Sequence, residues 1–261
     1  MPISENDFHD DDCSGVAAEL FQDLDQIQDR IEIFLQAHLP LCVKYLPGST
    51  DGTIKRKGEK ELAVSLCKRL KAFGDDKSVL FTFFNEDPDL KNKSRTDDMS
   101  INPSVGMAYL KVGTYYYDCE DQLYIIEAKR LPPPLSRAGQ EDRSREYVIS
   151  DWEHRDYLKK SRTGGIERFK EGLHGGAFIR SAMIAFVQEG TPQSWLENIN
   201  SWIDELIVKA ARCHKARWGK DDLLLPLSGK ANAGLSEFKS NHSRPAGQGH
   251  ISLHHFWLLL N

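Results

Sequence analysis

Gln122-Leu123-Tyr124-Ile125-Ile126-Glu127-Ala128-Lys129-Arg130, followed by Pro132, Pro133 and Pro134, is the stretch on which the reading of this chain turns. Its apolar, β-branched and aromatic run from Leu123 to Ile126 predicts a buried strand. The run ends in a glutamate and a lysine separated by one small residue. Side chains alternate along a strand, so Glu127 and Lys129 share a face and Ala128 takes the other. The prolines stop the strand, because proline cannot donate to a ladder. A carboxylate and an ammonium are thereby presented together at the exit of a buried strand, an arrangement suited to holding a metal ion and a reacting phosphate.

The rest of the chain frames that strand. Residues 1–15 read as a disordered acidic tail. Residues 16–50 read as a helical extension, with Leu20, Phe21, Leu24, Ile27, Ile31, Phe34 and Leu35 at helical spacing from Val16 to Leu39 and Pro40 as its stop. A second helix is expected from Gly58 to Phe73, where Leu62, Leu66 and Leu70 form an apolar stripe beside Glu61. Val79 to Phe84 and Met99 to Ile101 predict short strands. Tyr115 to Tyr117 is expected to pair with Leu123 to Ile126 as a hairpin. Helical pieces follow from Glu153 to Leu173, broken at Gly164-Gly165, then a strand from Ser181 to Val187. A helix entered at Pro192 carries an apolar face through Leu196, Ile199, Ile203 and Leu206. A weak strand around Leu235 to Phe238 and a stronger one from Ile251 to Leu260 close the chain. This order predicts a mixed α/β layer architecture around one sheet.

Charge is unevenly placed. The net charge is -5, yet residues 1–29 hold nine acidic groups and no lysine or arginine, which leaves +4 for the remainder. Basic runs at Lys55-Arg56-Lys57, Lys68 to Lys71, Lys159-Lys160-Ser161-Arg162 and Lys209 to Lys220 allow a polyanion-binding face. Five scattered cysteines without a CxxC pair argue against a zinc site and a disulfide framework. No apolar run approaches bilayer length, and the acidic N-terminus lacks a cationic presequence, so a cytoplasmic location with no membrane partner is expected.

Phosphodiester hydrolysis needs a divalent cation on hard oxygen ligands and a charge to offset the transition state. Asp98 and Glu127 would supply carboxylates to Mg²⁺, Lys129 would stand beside the attacking water and scissile phosphate, and Glu61 would reach in from its helix. As a bare pattern this is common. Glu237-Phe238-Lys239, Asp75-Asp76-Lys77 and Asp89-Leu90-Lys91 repeat it, but in polar surroundings without a long buried strand in front.

With that strand context, Asp98, Glu127-Ala128-Lys129 and the helix carrying Glu61 resemble the PD-(D/E)xK restriction-endonuclease-like superfamily. The resemblance runs through Arg95 to Ile101, Tyr124 to Leu131, Gly165-Ile166-Glu167-Arg168-Phe169, Met183 to Val187, and the tail Ser240 to Arg244 with Ile251 to His255. It covers the chain from about Glu61 onward and points to nucleases of prokaryotic anti-phage defence systems. It implies a restriction-endonuclease-like mixed central sheet flanked by helices over residues 51–261, Mg²⁺ dependence (Mn²⁺ as substitute), and endonucleolytic cleavage of DNA leaving a 5′-phosphate. It further implies the Ala128 carbonyl as a metal ligand and Arg168, His242, Arg244, Lys159 and Lys160 as nucleic-acid contacts. The chain departs from the signature at Asp97, which stands where proline is usual and is the alternative ligand. Strand alternation favours Asp98, leaving Met99 and Ile101 for the core. The competing reading is a catalytically silent nucleic-acid-binding or scaffolding subunit. Under either reading the first long helix offers an interface to a second copy or to a partner subunit of a defence complex.

Overall fold

Three buried parallel strands set the architecture. The computed structural model describes residues 24–46, 58–77, 79, 81–85, 98–103, 110–112, 115–117, 122–132, 144–149, 164–176, 178–212, 218–227, 234–245 and 249–260. Within them, in chain order, are α1 (Leu24–Val43), α2 (Glu59–Lys77), β1 (Phe81–Asn85), β2 (Asp98–Pro103), β3 (Leu110–Val112), β4 (Tyr115–Tyr117), β5 (Tyr124–Leu131), α3 (Gly165–Lys170), β6 (Arg180–Val187), α4 (Pro192–Arg212), β7 (Leu225–Pro226), β8 (Leu235–Ser243) and β9 (His250–Leu259). A single 3-10 turn, Lys220–Asp222, precedes β7.

Seven strands form one mixed sheet in the order β1-β2-β5-β6-β9-β8-β7. The central pairs β5–β6 and β6–β9 are parallel, and the flanking pairs are antiparallel. Strands β5 and β6 are buried on both faces, which is why their sequences read as continuous apolar runs and not as alternating ones. Alternation still assigns the faces. Tyr124, Ile126 and Ala128 pack with Ile31 and Leu35 of α1 and Leu62, Leu66 and Leu70 of α2. Ile125 and Leu131 pack with Ile166 and Phe169 of α3 and Ile199 and Ile203 of α4 on the opposite face.

Two expectations change. Tyr115–Tyr117 pairs with Leu110–Val112 as a separate two-stranded ribbon and not with β5. Both edges of β5 are already taken, one by β2 and the other by β6. The first helix also runs past Pro40 to Val43. Burial of Leu39 just before Pro40 and of Cys42 just after it offsets the one hydrogen bond that proline removes. Met99 and Ile101 enter the core as alternation requires. Residues 1–23, which include the acidic tail, lie outside the described residues. No described helix is long and apolar enough to cross a membrane.

Helix α1, which the sequence sets apart as an extension, shares a core with the sheet and is locked to it by polar contacts. Glu32 accepts from Tyr124 Oη at 3.1 Å and pairs with Arg180 at 3.2 Å and His254 Nδ1 at 3.3 Å. The other ring nitrogen of His254 meets Glu237 at 3.0 Å, and Gln36 donates to the same Glu237 oxygen at 2.9 Å. Both imidazole nitrogens face carboxylates, so both carry protons. Burial opposes that charge, but the hydrogen bonds to Glu237 and Glu32 outweigh it and raise the His254 pKa. For Glu32 burial acts upward and His254 and Arg180 prevail downward; Glu237 is lowered chiefly by its hydrogen bond to His254.

The signs define a window. Stability from a raised histidine is complete below its ordinary 6.5 and lost as pH climbs through the folded value; stability from lowered carboxyls is complete above 4.5 and lost as pH drops. The α1 lock is therefore strongest between those limits. His254→Ala is expected to cost about 3 kcal/mol near pH 6, with the cost shrinking toward pH 9. Denaturant unfolding of both proteins across that range measures it, and a pH-independent difference would contradict the charged-histidine assignment.

Candidate active site at the end of strand β5

The ladder between β2 and β5 places Asp98 at the register position opposite Glu127, the last described pair toward the β5 exit. Beyond it, no described strand pairs with β5 on that edge. The N–H of Arg130 on this edge is taken by a side chain: Glu59 Oε2 accepts it at 3.1 Å. The other oxygen of Glu59 lies 3.4 Å from Lys129 Nζ. By the two-residue repeat of a strand, the Ala128 carbonyl lies on the same edge as the Arg130 N–H.

Lys129 is the hub. Its ammonium, on a side chain only 5% exposed, lies 2.9 Å from Glu127, 3.4 Å from Glu59 and 3.9 Å from Glu146. Glu127 in turn pairs with Arg168 of α3 at 2.9 Å. Burial drives the Glu127 carboxyl upward, but Lys129 and Arg168, with His174 beyond, prevail and keep it below the ordinary carboxylate range. Glu127 is thus held as an anion inside the protein. Its Oε2 is fully buried and accepts no hydrogen bond among the described residues. A buried anionic oxygen left open beside further carboxylates fits a hard divalent cation. Among the described residues no three histidine, cysteine or acidic side chains form a ready metal cluster.

Helix α3 is short, and all six of its residues are buried. Its first amides are capped by a neighbouring backbone segment: Gly165, Ile166 and Glu167 donate to the carbonyls of Glu146, Tyr147 and Val148 at 2.9, 3.1 and 3.0 Å. This approach requires glycine at 165, where a β-carbon would stand 2.9 Å from the Tyr147 carbonyl and 2.4 Å from Met183. What the sequence presents as an ordinary Gly-Gly turn is the point where Arg168 and Glu146 are brought to the β5 exit together.

The candidate residues separate accordingly. Glu127 and Lys129 meet as the alternation predicts, and Asp98 holds the facing register position. Glu61 is exposed on α2, and the helical glutamate that reaches the centre is Glu59. Glu59 shares the face of Leu62, Ala63, Leu66 and Leu70 at intervals of three, four, seven and eleven, so the apolar stripe itself points it inward. Arg168, expected on nucleic acid, is buried against Glu127. His242 and Arg244 are also interior. His242 bonds Asp222 at 2.5 Å and Ser240 at 2.7 Å. Arg244 spends its guanidinium on the carbonyls of Phe169, Gly175, Gly176 and Phe178 at 2.7–3.0 Å. Lys159, Lys160 and Asp97 lie outside the described residues. The second Glu-x-Lys, Glu237 to Lys239, proves to be on a strand after all, but its glutamate is committed to His254 and Gln36.

Asp222, His242 and Ser240 reproduce the order carboxylate, imidazole, hydroxyl of a nucleophilic triad. Ser240 is 1% exposed and its hydroxyl meets a second imidazole, His255, at 2.7 Å, so no substrate reaches it. The buried thiols of Cys42 and Cys67 are likewise removed from chemistry, pushed up to about 12 by burial.

Because Arg244 serves four backbone carbonyls, Arg244→Lys is expected to lower stability by about 2–3 kcal/mol while leaving any DNA affinity unchanged below the unfolding transition. Chemical denaturation and filter binding of the same preparation separate the two; a loss of affinity without a loss of stability would return Arg244 to a substrate surface.

No protein-family model, no curated protein and no solved structure matches this chain.

Proposed function

We propose that this protein is a Mg²⁺-dependent endodeoxyribonuclease of the restriction-endonuclease-like fold, acting as the nuclease effector of a prokaryotic defence system. The observation that supports the reading is the constellation at the β5 exit: Asp98 in register with Glu127, and Lys129 Nζ 2.9 Å from Glu127. A strand that keeps a buried, ionised glutamate beside a buried lysine stores charge at a considerable desolvation cost. Chemistry on a charged substrate gives that arrangement a use.

Asp98, Glu127 and the Ala128 carbonyl would hold the Mg²⁺, whose contribution when bound is to polarise the phosphoryl group and lower the pKa of a bound water. The chain's own groups do the rest. Arg168 fixes the Glu127 carboxylate and keeps it ionised. Lys129 provides the positive charge that offsets negative charge developing on the phosphate oxygens. Glu59 orients that ammonium and secures the end of β5 through the Arg130 N–H. Glu59, Glu127 and Glu146 outnumber Lys129 and Arg168, so these five side chains together are net negative. Such a centre attracts a cation before it admits a polyanion.

Digestion of plasmid, linear and single-stranded DNA, and RNA, with Mg²⁺ or Mn²⁺ and with EDTA, tests the reading. Glu127→Ala and Lys129→Ala are each expected to reduce metal-dependent DNA cutting by at least about 10²–10³-fold. Cutting that survives both would place the activity elsewhere, and DNA binding without cutting would favour the silent subunit.

The exchange of Glu61 for Glu59 has its own readout. Glu59→Gln is expected to reduce turnover by about 10–100-fold, whereas Glu61→Gln leaves it at the wild-type level. The reverse ranking would restore Glu61.

A further inference from the structure

Behind the β5 centre lies a continuous chain of buried hydrogen bonds that joins Trp257 to Asp222. Trp257 Nε1 meets Tyr147 Oη at 2.9 Å, Tyr147 Oη meets His255 Nδ1 at 2.8 Å, and His255 Nε2 meets Ser240 Oγ at 2.7 Å. Ser240 Oγ then meets His242 Nε2 at 2.7 Å, and His242 Nδ1 meets Asp222 at 2.5 Å. Every member is at most 2% exposed. Strand alternation assembles it: Ser240 and His242 share a face of β8, and His255 and Trp257 share a face of the adjoining β9.

Two neutral imidazoles and the two ends together fix the direction of the whole chain. An indole N–H can only donate and a carboxylate can only accept. Trp257 therefore donates to Tyr147, Tyr147 to His255, His255 to Ser240, Ser240 to His242, and His242 to Asp222. Each histidine is neutral with one assigned tautomer, protonated on Nε2 in His255 and on Nδ1 in His242. Burial lowers both imidazole pKa values, in keeping with that state. The Asp222 contact is thus a hydrogen bond from a neutral ring and not an ion pair, and Lys170 supplies the balancing charge at 2.8 and 3.0 Å.

Lys170 is the last residue of α3, while the Tyr147 carbonyl receives the Ile166 amide in its first turn. The chain consequently leaves α3 at one end, crosses two strands and returns at the other. Arg168 sits between those anchors, with Glu127 at 2.9 Å. We propose that Tyr147, His255, Ser240 and His242 are positioning residues that hold α3 and the 146–148 segment in the register that places Arg168 on Glu127. A rigid ring of this kind transmits a loss at Ser240 to the α3 amides, because no other described group can accept from His255 and donate to His242 at once. Its consequence for catalysis rests on the nuclease reading; its consequence for α3 does not.

Long-range imidazole proton–nitrogen correlation spectra of the full-length wild-type protein at pH 7 come first. Bare Nδ1 with protonated Nε2 is expected for His255, and the opposite for His242; an imidazolium or a reversed tautomer at either position overturns the proposal. Amide exchange follows. Ser240→Ala is expected to accelerate exchange at Gly165, Ile166 and Glu167 by about 10-fold or more while β6 amides keep wild-type rates, and Ser240→Thr, which retains the hydroxyl, is expected to restore protection. Tyr147→Phe, which keeps the ring, is the second variant should Ser240→Ala fail to fold. Unchanged or uniformly accelerated exchange overturns the proposal. In the cutting assay, Ser240→Ala is expected to lower kcat about 10–100-fold at unchanged DNA affinity, with recovery in Ser240→Thr. If wild type does not cut DNA, the nuclease reading falls, and the exchange data alone decide the positioning role.

Discussion

The ion pair between Lys129 and Glu127 is the constraint around which the β5 end of the molecule is built. Two opposite charges on one face of a strand that is buried on both sides cannot be left to solvent, and each needs further partners. Glu59 and Glu146 answer Lys129, and Arg168 answers Glu127. These three partners come from α2, from the 144–149 segment and from α3. The need to satisfy one buried pair thus specifies where three separate elements must end. An apolar strand exit would have set no such requirement on their register.

Helix α3 shows how the fold meets it. Six residues give too few turns for a stable isolated helix, and nothing in its length accounts for its order. Its stability is borrowed from outside: three carbonyls cap its first amides, Arg244 binds the carbonyls of its C-terminal turn and the residues after it, and Lys170 is tied to Asp222. Each tie comes from a different part of the chain. Together they make a short polar helix a rigid platform for one guanidinium. The triad-like geometry of Asp222, His242 and Ser240 belongs to this support, and its burial, not its geometry, excludes nucleophilic attack.

What could be read in the sequence depended on whether the signal was local. Strand alternation places Glu127 and Lys129 on one face without knowledge of any neighbour, and the apolar runs of β5, β6 and β9 declare the central sheet. The helical glutamate was a closer matter. The stripe of Leu62, Leu66 and Leu70 fixes the rotation of α2 and turns Glu59 inward, but where the helix meets the sheet decides whether that matters, and this is tertiary information. Arg168, His242 and Arg244 read as surface residues because polar side chains near glycines and chain ends usually are. Their partners lie far away: Glu127 is 41 positions before Arg168, and Asp222 is 20 before His242. No local pattern encodes such pairs. The Tyr115–Tyr117 pairing failed for a related reason, since the edge it needed belonged to a strand closer to the core.

On the proposed reading, the same internal pairing decides how the centre would engage DNA. Of the three basic residues expected on nucleic acid that the structure describes, each is consumed internally by a carboxylate, a hydrogen-bond chain or backbone carbonyls. The described centre is consequently richer in anions than in cations. On that reading, attraction for a phosphate backbone would come from elsewhere, either from basic residues such as Lys68 and Arg69, exposed on α2, or from a divalent cation seated among the carboxylates. On the proposed reading, the second source supplies an order of events set by electrostatics. A net-negative cradle would favour a cation over DNA, and a cation held by Glu127 would offset that charge, so metal occupancy and substrate entry would be coupled through charge. Lys129, already surrounded by carboxylates, would then be left with more of its charge for the phosphate, because a bound cation would share those anions.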